Sequence, residues 1–265
     1  MVQSNKASPS RKKTKVVVVI NQKGGVGKTT VGFHIAKAAA ESGKRVLVVD
    51  VDTQGNMSQF LTGNLDIQKN VEGGSGWLFS SGSVPQDAPT LTNHDGIWLL
   101  HGHEELDQYD NDAGVFERVV SSKLRMTLHS LDYDVVIVDT PPAVGVRHLA
   151  PLVWSDLAVI PMEPANAAVA GFQSVLESID DVLELNPGLQ WVGVLNRLNR
   201  SSKSHRNTEA MVREVYREKI APALLSRTAV ADAMQEDPAV PVWRMPGTRR
   251  EVRDLWRDWC TSLVA

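Results

Sequence analysis

The chain has 265 residues, 42% hydrophobic and 22% charged, with a net charge of −3 and a pI near 6.2. This size and composition suit one large α/β domain or two small ones, and the overall charge gives no general sign of nucleic-acid binding. A lone cysteine, Cys260, excludes an internal disulfide or a thiolate metal site, no apolar run approaches the roughly 20 residues that span a bilayer, and MVQSNKASPSRKKTK lacks a secretory signal, so a reducing cytoplasm is expected.

Residues 1–14 are polar, with basic Arg11, Lys12 and Lys13, and read as a disordered basic tail before a single domain over 15–265. Val16–Ile20 is a continuous β-branched run, the pattern of a strand buried on both faces. A glycine loop follows, then an Ala-rich helix over about Lys28–Ser42, stopped by Gly43. Further buried strands are expected at Arg45–Asp50, Tyr133–Asp139, Leu157–Pro161 and Trp191–Asn196, with a helix over about Ala168–Leu185. Ile97–Leu100 is strand-like, and His101-Gly102-His103-Glu104-Glu105 after it reads as a surface loop, since it lacks the matching pair a metal centre needs. Strands alternating with helices imply an α/β, doubly wound, mostly parallel sheet with helices on both faces.

The loop Asn21-Gln22-Lys23-Gly24-Gly25-Val26-Gly27-Lys28-Thr29-Thr30 lies between the first strand and the first helix. Glycines let several backbone N–H groups converge on one anion, and the helix N-terminus adds a favourable dipole. Gln22 stands where the strict Walker A pattern has its first glycine, and KGGVGKTT carries an additional lysine, Lys23. Asp50-Val51-Asp52-Thr53-Gln54-Gly55-Asn56 ends the second strand and Asp139-Thr140-Pro141-Pro142 ends the third. Carboxylates at the ends of neighbouring parallel strands converge on the crevice where nucleotides bind. These three segments, in this order, resemble the ParA/MinD family of deviant Walker A ATPases, a P-loop NTPase type, with Thr53 where the family's DxDPQGN motif has proline.

The resemblance implies a slow, partner-stimulated ATPase that uses ATP and Mg²⁺. Gly24, Gly25, Val26, Gly27, Lys28, Thr29 and Thr30 would cradle the phosphates, with Lys28 neutralising them. Thr29, Asp139 and Asp52 would serve the metal; Asp52 would also position the attacking water, and Asp50 would support the site. Lys23 would reach across a homodimer to the partner's phosphates, much as an arginine finger does. No guanine-type NKxD motif follows the last strand, and Asn196 stands where the family places an adenine contact, which favours ATP over GTP.

Cluster-holding relatives are set aside because Cys260 is alone. Two readings remain. The first is a small ParA-type partition ATPase without an N-terminal DNA-binding domain, cytoplasmic and nucleoid-associated, with a ParB-like or other cargo-adaptor activator. Its non-specific DNA contacts would come from Arg197, Arg200, Lys203, Arg206 and Arg227, in a C-terminal part richer in Lys/Arg than in Asp/Glu, while Thr62–Asp134 is strongly acidic. The second is a MinD-like membrane-associated positioning ATPase, using the helical stripe Val252, Leu255, Trp256, Trp259, Cys260, Leu263 and Val264. The mixed charges around that stripe favour packing on the sheet instead.

Overall fold

The computed structural model describes residues 13–265 other than 73 and 122, and side chains other than those of 113 and 166–170. The apolar runs form one sheet of β1 (Lys15–Val19), β2 (Val46–Asp50), β3 (Thr90–Leu91), β4 (Ile97–Leu100), β5 (Val135–Asp139), β6 (Leu157–Met162) and β7 (Gln190–Leu195). The spatial order is β3-β4-β2-β5-β1-β6-β7, and every pairing is parallel except β3 with β4. Two-residue β3 is exposed and carries no periodicity, so nothing in its sequence announces it. Residues 1–12 of the expected tail lie outside the described residues. Thr14, also assigned to the tail, is buried, and its hydroxyl donates to the Leu131 and Tyr133 carbonyls at 3.0 and 2.7 Å.

The helices are α1 (Lys28–Glu41), α2 (Asn56–Thr62), α3 (Trp77–Ser80), α4 (Ala113–Ser121), α5 (Leu124–Ser130), α6 (Val146–Trp154), α7 (Asn166–Val182), α8 (Lys203–Tyr216), α9 (Thr228–Gln235) and α10 (Arg250–Val264). Alternation along β1 sorts them into two layers. Val17 and Val19 face the core shared with α1, α2, α9 and α10, while Val16, Val18 and Ile20 face the core shared with α3 to α8. The chain leaves β1 toward β2 on one side and returns to β6 on the other. The crevice of this doubly wound sheet therefore opens at the carboxyl end of β1.

Helix α10 turns most of its apolar stripe inward, with Leu255 half-buried. Val252, Trp256, Trp259, Cys260, Leu263 and Val264 are buried in the core they share with α1, so the stripe that suggested a membrane anchor is already covered by protein. Among the described residues no helix is long and apolar enough to cross a membrane.

The seam between α1 and the C-terminal part is tied by His34. Its Nδ1 lies 2.7 Å from the Thr30 carbonyl and its Nε2 accepts the Val242 N–H at 3.0 Å, with the ring 4.4 Å from Trp256 centroid to centroid. One nitrogen must donate and the other must accept, which defines a neutral ring with the proton on Nδ1. Burial depresses its pKa to about 4, against a small opposing pull from the Thr30 carbonyl. The folded value lies below the unfolded value, so this contribution is complete above about pH 6.5 and is lost as pH falls toward 4. Urea unfolding at pH 7.5 and pH 5 should show a loss of about 2 kcal/mol from this ring, and His34→Gln should lose correspondingly less on acidification. Equal pH dependence in the two proteins would refute the assignment.

Candidate nucleotide site

The loop between β1 and α1 is held from several sides. Asn21 donates from Nδ2 to the Pro161 carbonyl at 2.8 Å and accepts the Lys23 N–H on Oδ1 at 2.8 Å. Gly25 and Gly27 take left-handed φ values of 76° and 93°, which side-chain-bearing residues resist. A Cβ on Gly27 would also collide with the Asn196 amide, which donates to the Val26 carbonyl at 2.9 Å. Arg197, itself at φ 56°, donates to the Gly25 carbonyl at 2.9 Å and pairs with Glu163 at 2.7 Å. Helix α1 begins here with neither a side-chain cap nor an acidic residue in its first turn, leaving N–H groups and a positive dipole end directed at the loop.

Lys28, the first residue of α1, is only 6% exposed, and its Nζ donates to the Lys23 carbonyl at 3.3 Å. Burial lowers its pKa, and the carboxylates of Asp139 and Asp52 pull the other way. Lys23 behaves differently. It is half-buried, and its ammonium makes no hydrogen bond or ion pair with a described residue.

Strand register delivers the carboxylates. Asp139 on β5 lies level with Val19 on β1 and with Asp50 on β2. Asp50 is fully buried: its Oδ2 accepts the Ser58 N–H and hydroxyl at 2.9 and 2.6 Å, and its Oδ1 accepts the Asp52 N–H at 3.1 Å. Burial still raises its pKa to about 6, with Ser58 opposing. Asp139 is raised well above the carboxylate range, chiefly by burial and then by Asp50, while a hydrogen bond from Thr29 opposes the shift. Asp52 accepts the Gln54 N–H on Oδ1 at 3.0 Å, so its own carboxylate closes the turn at Thr53.

The donor set fits a magnesium ion. Among the described residues Asp139 Oδ1 is buried without a partner, and the Thr29 hydroxyl acts on the same carboxylate, so two hard oxygen donors are at hand. Among the described residues no three His, Cys, Asp or Glu converge as a complete cage, as suits a cation that keeps water and phosphate in its shell.

Two further features have no motif in the sequence. Arg147 is 4% exposed and pairs with Asp110, from Nε and Nη2 to Oδ2 at 2.9 and 2.6 Å, while Nη1 donates to the Val51 carbonyl at 3.2 Å. The segment after Asp139 is thereby joined to the Asp50–Asp52 segment. A second cavity, of about 530 Å³, opens beside the loop and is lined by Thr30, Phe60, Asn196, Arg227 and Met234 among others.

The expected loop residues and the three aspartates thus come together. Asn196 lines the second cavity, but its amide is also committed to the loop. Of the basic residues expected at DNA, Arg197 braces the loop, Arg227 lines the cavity beside Asn196, and Arg200, Lys203 and Arg206 are exposed before and within α8. The surface loop expected at 101–105 needs correction. His101 and His103 are 5% and 3% exposed, because Gly74 and Gly76 let a second backbone segment lie against them.

A phosphate loop after β1, a buried lysine opening α1, and carboxylates ending adjacent parallel strands define a P-loop nucleotide-hydrolase class of protein. Residues 14–191 match the AAA domain family. The chromosome partitioning protein ParA of Caulobacter vibrioides is 30% identical over 220 residues, covering 80% of this chain and 80% of that protein. An ATP complex of McdA from Cyanothece, 21% identical, superposes with a TM-score of 0.81 over 95% of this chain and 96% of the other. Cobyrinic acid a,c-diamide synthase from Mycobacterium smegmatis, bound to an ATP analogue and magnesium, is 25% identical with a TM-score of 0.73 over 95% and 94%. The chain belongs to the ParA/MinD-type P-loop ATPases.

Removing one member of the buried Arg147–Asp110 pair strands the other charge. Arg147→Met should therefore cost about 3–5 kcal/mol in urea unfolding, and adding Asp110→Asn should recover part of that loss. Strict additivity of the two changes would show that the pair is not coupled.

Proposed function

We propose that this chain is an ATP-dependent dimerising switch that binds DNA non-specifically and positions a plasmid, chromosome or other cargo, with hydrolysis triggered by a ParB-like or other adaptor. The observation that carries the reading is the contrast between the two loop lysines. Lys28 is buried among carboxylates, whereas Lys23 sits at the mouth of the same loop with its ammonium unpaired among the described residues. A second copy facing this loop would offer the partner's ATP as the acceptor that the described residues of the chain do not provide.

In this reading the loop amides and Lys28 bind the polyphosphate, and Thr29 with Asp139 would hold magnesium. The metal supplies neutralisation of charge developing on the transferred phosphoryl group. Asp52 orients the attacking water, and Asp50, fixed by Ser58, supports the strand end. The 530 Å³ cavity beside Asn196 and Thr30 receives the base. DNA contact falls to exposed Arg200, Lys203 and Arg206, joined by Arg227. Contacts of that kind give sequence-independent, salt-sensitive affinity and nucleoid association.

Lys28→Ala should abolish ATP binding in equilibrium dialysis, and undiminished affinity would remove the assignment. Asp52→Asn should bind ATP yet turn over far more slowly. Lys23→Ala should bind ATP normally but lose about a thousandfold or more of the stimulated rate. DNA retention by the parent protein should require ATP and fall steeply with salt, about 0.9 logarithmic units per phosphate contact for each tenfold rise. Retention that is indifferent to nucleotide and salt would overturn the switch.

A further inference from the structure

Val51 stands between Asp50 and Asp52, and it is held on both sides by other elements. Its N–H donates to the Asp139 carbonyl at 3.0 Å, and its own carbonyl accepts Arg147 Nη1 at 3.2 Å. That carbonyl shares one planar peptide unit with the Asp52 N–H, which donates to Asp50 Oδ1 at 3.1 Å. A turn of this plane changes φ at Asp52, and with it the direction of the side chain. Bonds on the two opposite edges of the plane oppose such a turn. We propose that Arg147 is a positioning residue for Asp52: it fixes the Val51–Asp52 peptide and so the direction from which the Asp52 carboxylate enters the crevice.

The guanidinium is aimed by its surroundings. Arg147 is the second residue of α6, and Gly145 at the start of that helix supplies no side-chain cap. Asp110 takes that part from outside the helix, its Oδ1 accepting the Arg147 N–H at 2.9 Å. Its Oδ2 accepts Arg147 Nε and Nη2 at 2.9 and 2.6 Å. A Cβ on Gly145 would stand 2.7 Å from Asp110 Cγ, so glycine is what lets the carboxylate come this close. With one edge of the fork spent on Asp110, Nη1 is left to reach Val51.

The far side of the same backbone is walled as well. A Cβ on Gly102 would stand 2.3 Å from the Asp52 carbonyl and 3.0 Å from Asp50 Cγ. The Asp50–Asp52 segment thus lies between the Gly102 backbone and the Arg147 guanidinium, with little room to turn. A buried ion pair adds little net stability over an apolar pair, so charge balance alone does not account for this one. A lysine would balance Asp110 as a point charge, whereas the planar fork of arginine bonds the carboxylate and the carbonyl together.

Two variants of the full chain separate positioning from stability. Arg147→Lys keeps a cation beside Asp110 and loses the bridge to Val51. Arg147→Met with Asp110→Asn removes the bridge and both charges. Without nucleotide, the Asp52 N–H of each variant should exchange with solvent about tenfold faster, relative to the β5 amides that report global opening. Asp52 protection that merely follows the β5 amides in either variant would overturn the proposal. Equilibrium dialysis should show the parent's affinity for ATP, while single-turnover hydrolysis per ATP-binding site should fall about a hundredfold. A purely structural role would reduce the number of ATP-binding sites and leave the turnover of each unchanged, which would also overturn it. The effect on turnover rests on the ATPase reading above, in which Asp52 orients the attacking water. A parent chain that binds ATP without hydrolysing it would remove that reading, and the exchange of the Asp52 N–H would still decide whether Arg147 fixes the peptide.

Discussion

An ammonium taken almost wholly out of water must be compensated, and the placement of Lys28 makes that demand on the centre of the fold. Its compensation comes from Asp139 and Asp52, at the ends of β5 and β2. The register of those strands with β1 is therefore part of the site's chemistry. A one-residue slip would turn Asp139 away from the crevice and push an apolar side chain into it. For Lys28 burial outweighs the attraction of Asp139 and Asp52, while for Asp50 and Asp139 burial and neighbouring carboxylates together outweigh the hydrogen bonds that oppose them, so each group is held toward neutrality. A polyphosphate and a hard cation bring both signs of charge that such a site accepts.

The loop above these charges is shaped by restraint from outside. Asn21 ties it to β6, Asn196 to the end of β7, and Arg197 to Glu163 beyond β6. Behind it, α1 is clamped by α10 through a neutral His34 between Trp243 and Trp256. The phosphate loop is thus held by the strands and helices that define the sheet's switch point.

The sequence disclosed most where local chemistry is demanding. Apolar runs marked β1, β2, β5, β6 and β7, the GKTT ending marked the loop, and strand-terminal aspartates marked the carboxylate row. Helix boundaries shifted by a few residues, as in α7, which spans Asn166–Val182. What stayed hidden depends on contacts across long separations. Asp110 and Arg147 are 37 residues apart and belong to no pattern, so only folding reveals their pairing. His101 and His103 looked like loop residues because the glycines that bury them come some 25 positions earlier. Arg197 is exposed, as expected of a surface cation, but nothing local shows that its guanidinium also reaches Gly25.

Thr53, standing where the family's motif has proline, changes how the Asp52 segment is ordered. A proline ring restricts the unfolded chain as well as the folded one, and that stiffness persists whatever its neighbours do. Here the turn's order comes instead from exchangeable bonds, the Asp52 carboxylate accepting the Gln54 N–H and the Asp52 carbonyl accepting the Gly55 N–H. Any group that competes for either N–H, or for either oxygen, loosens the backbone carrying the carboxylate. The order of the backbone carrying Asp52 thus rests on hydrogen bonds that fold with it, where a proline would also have restricted the unfolded chain.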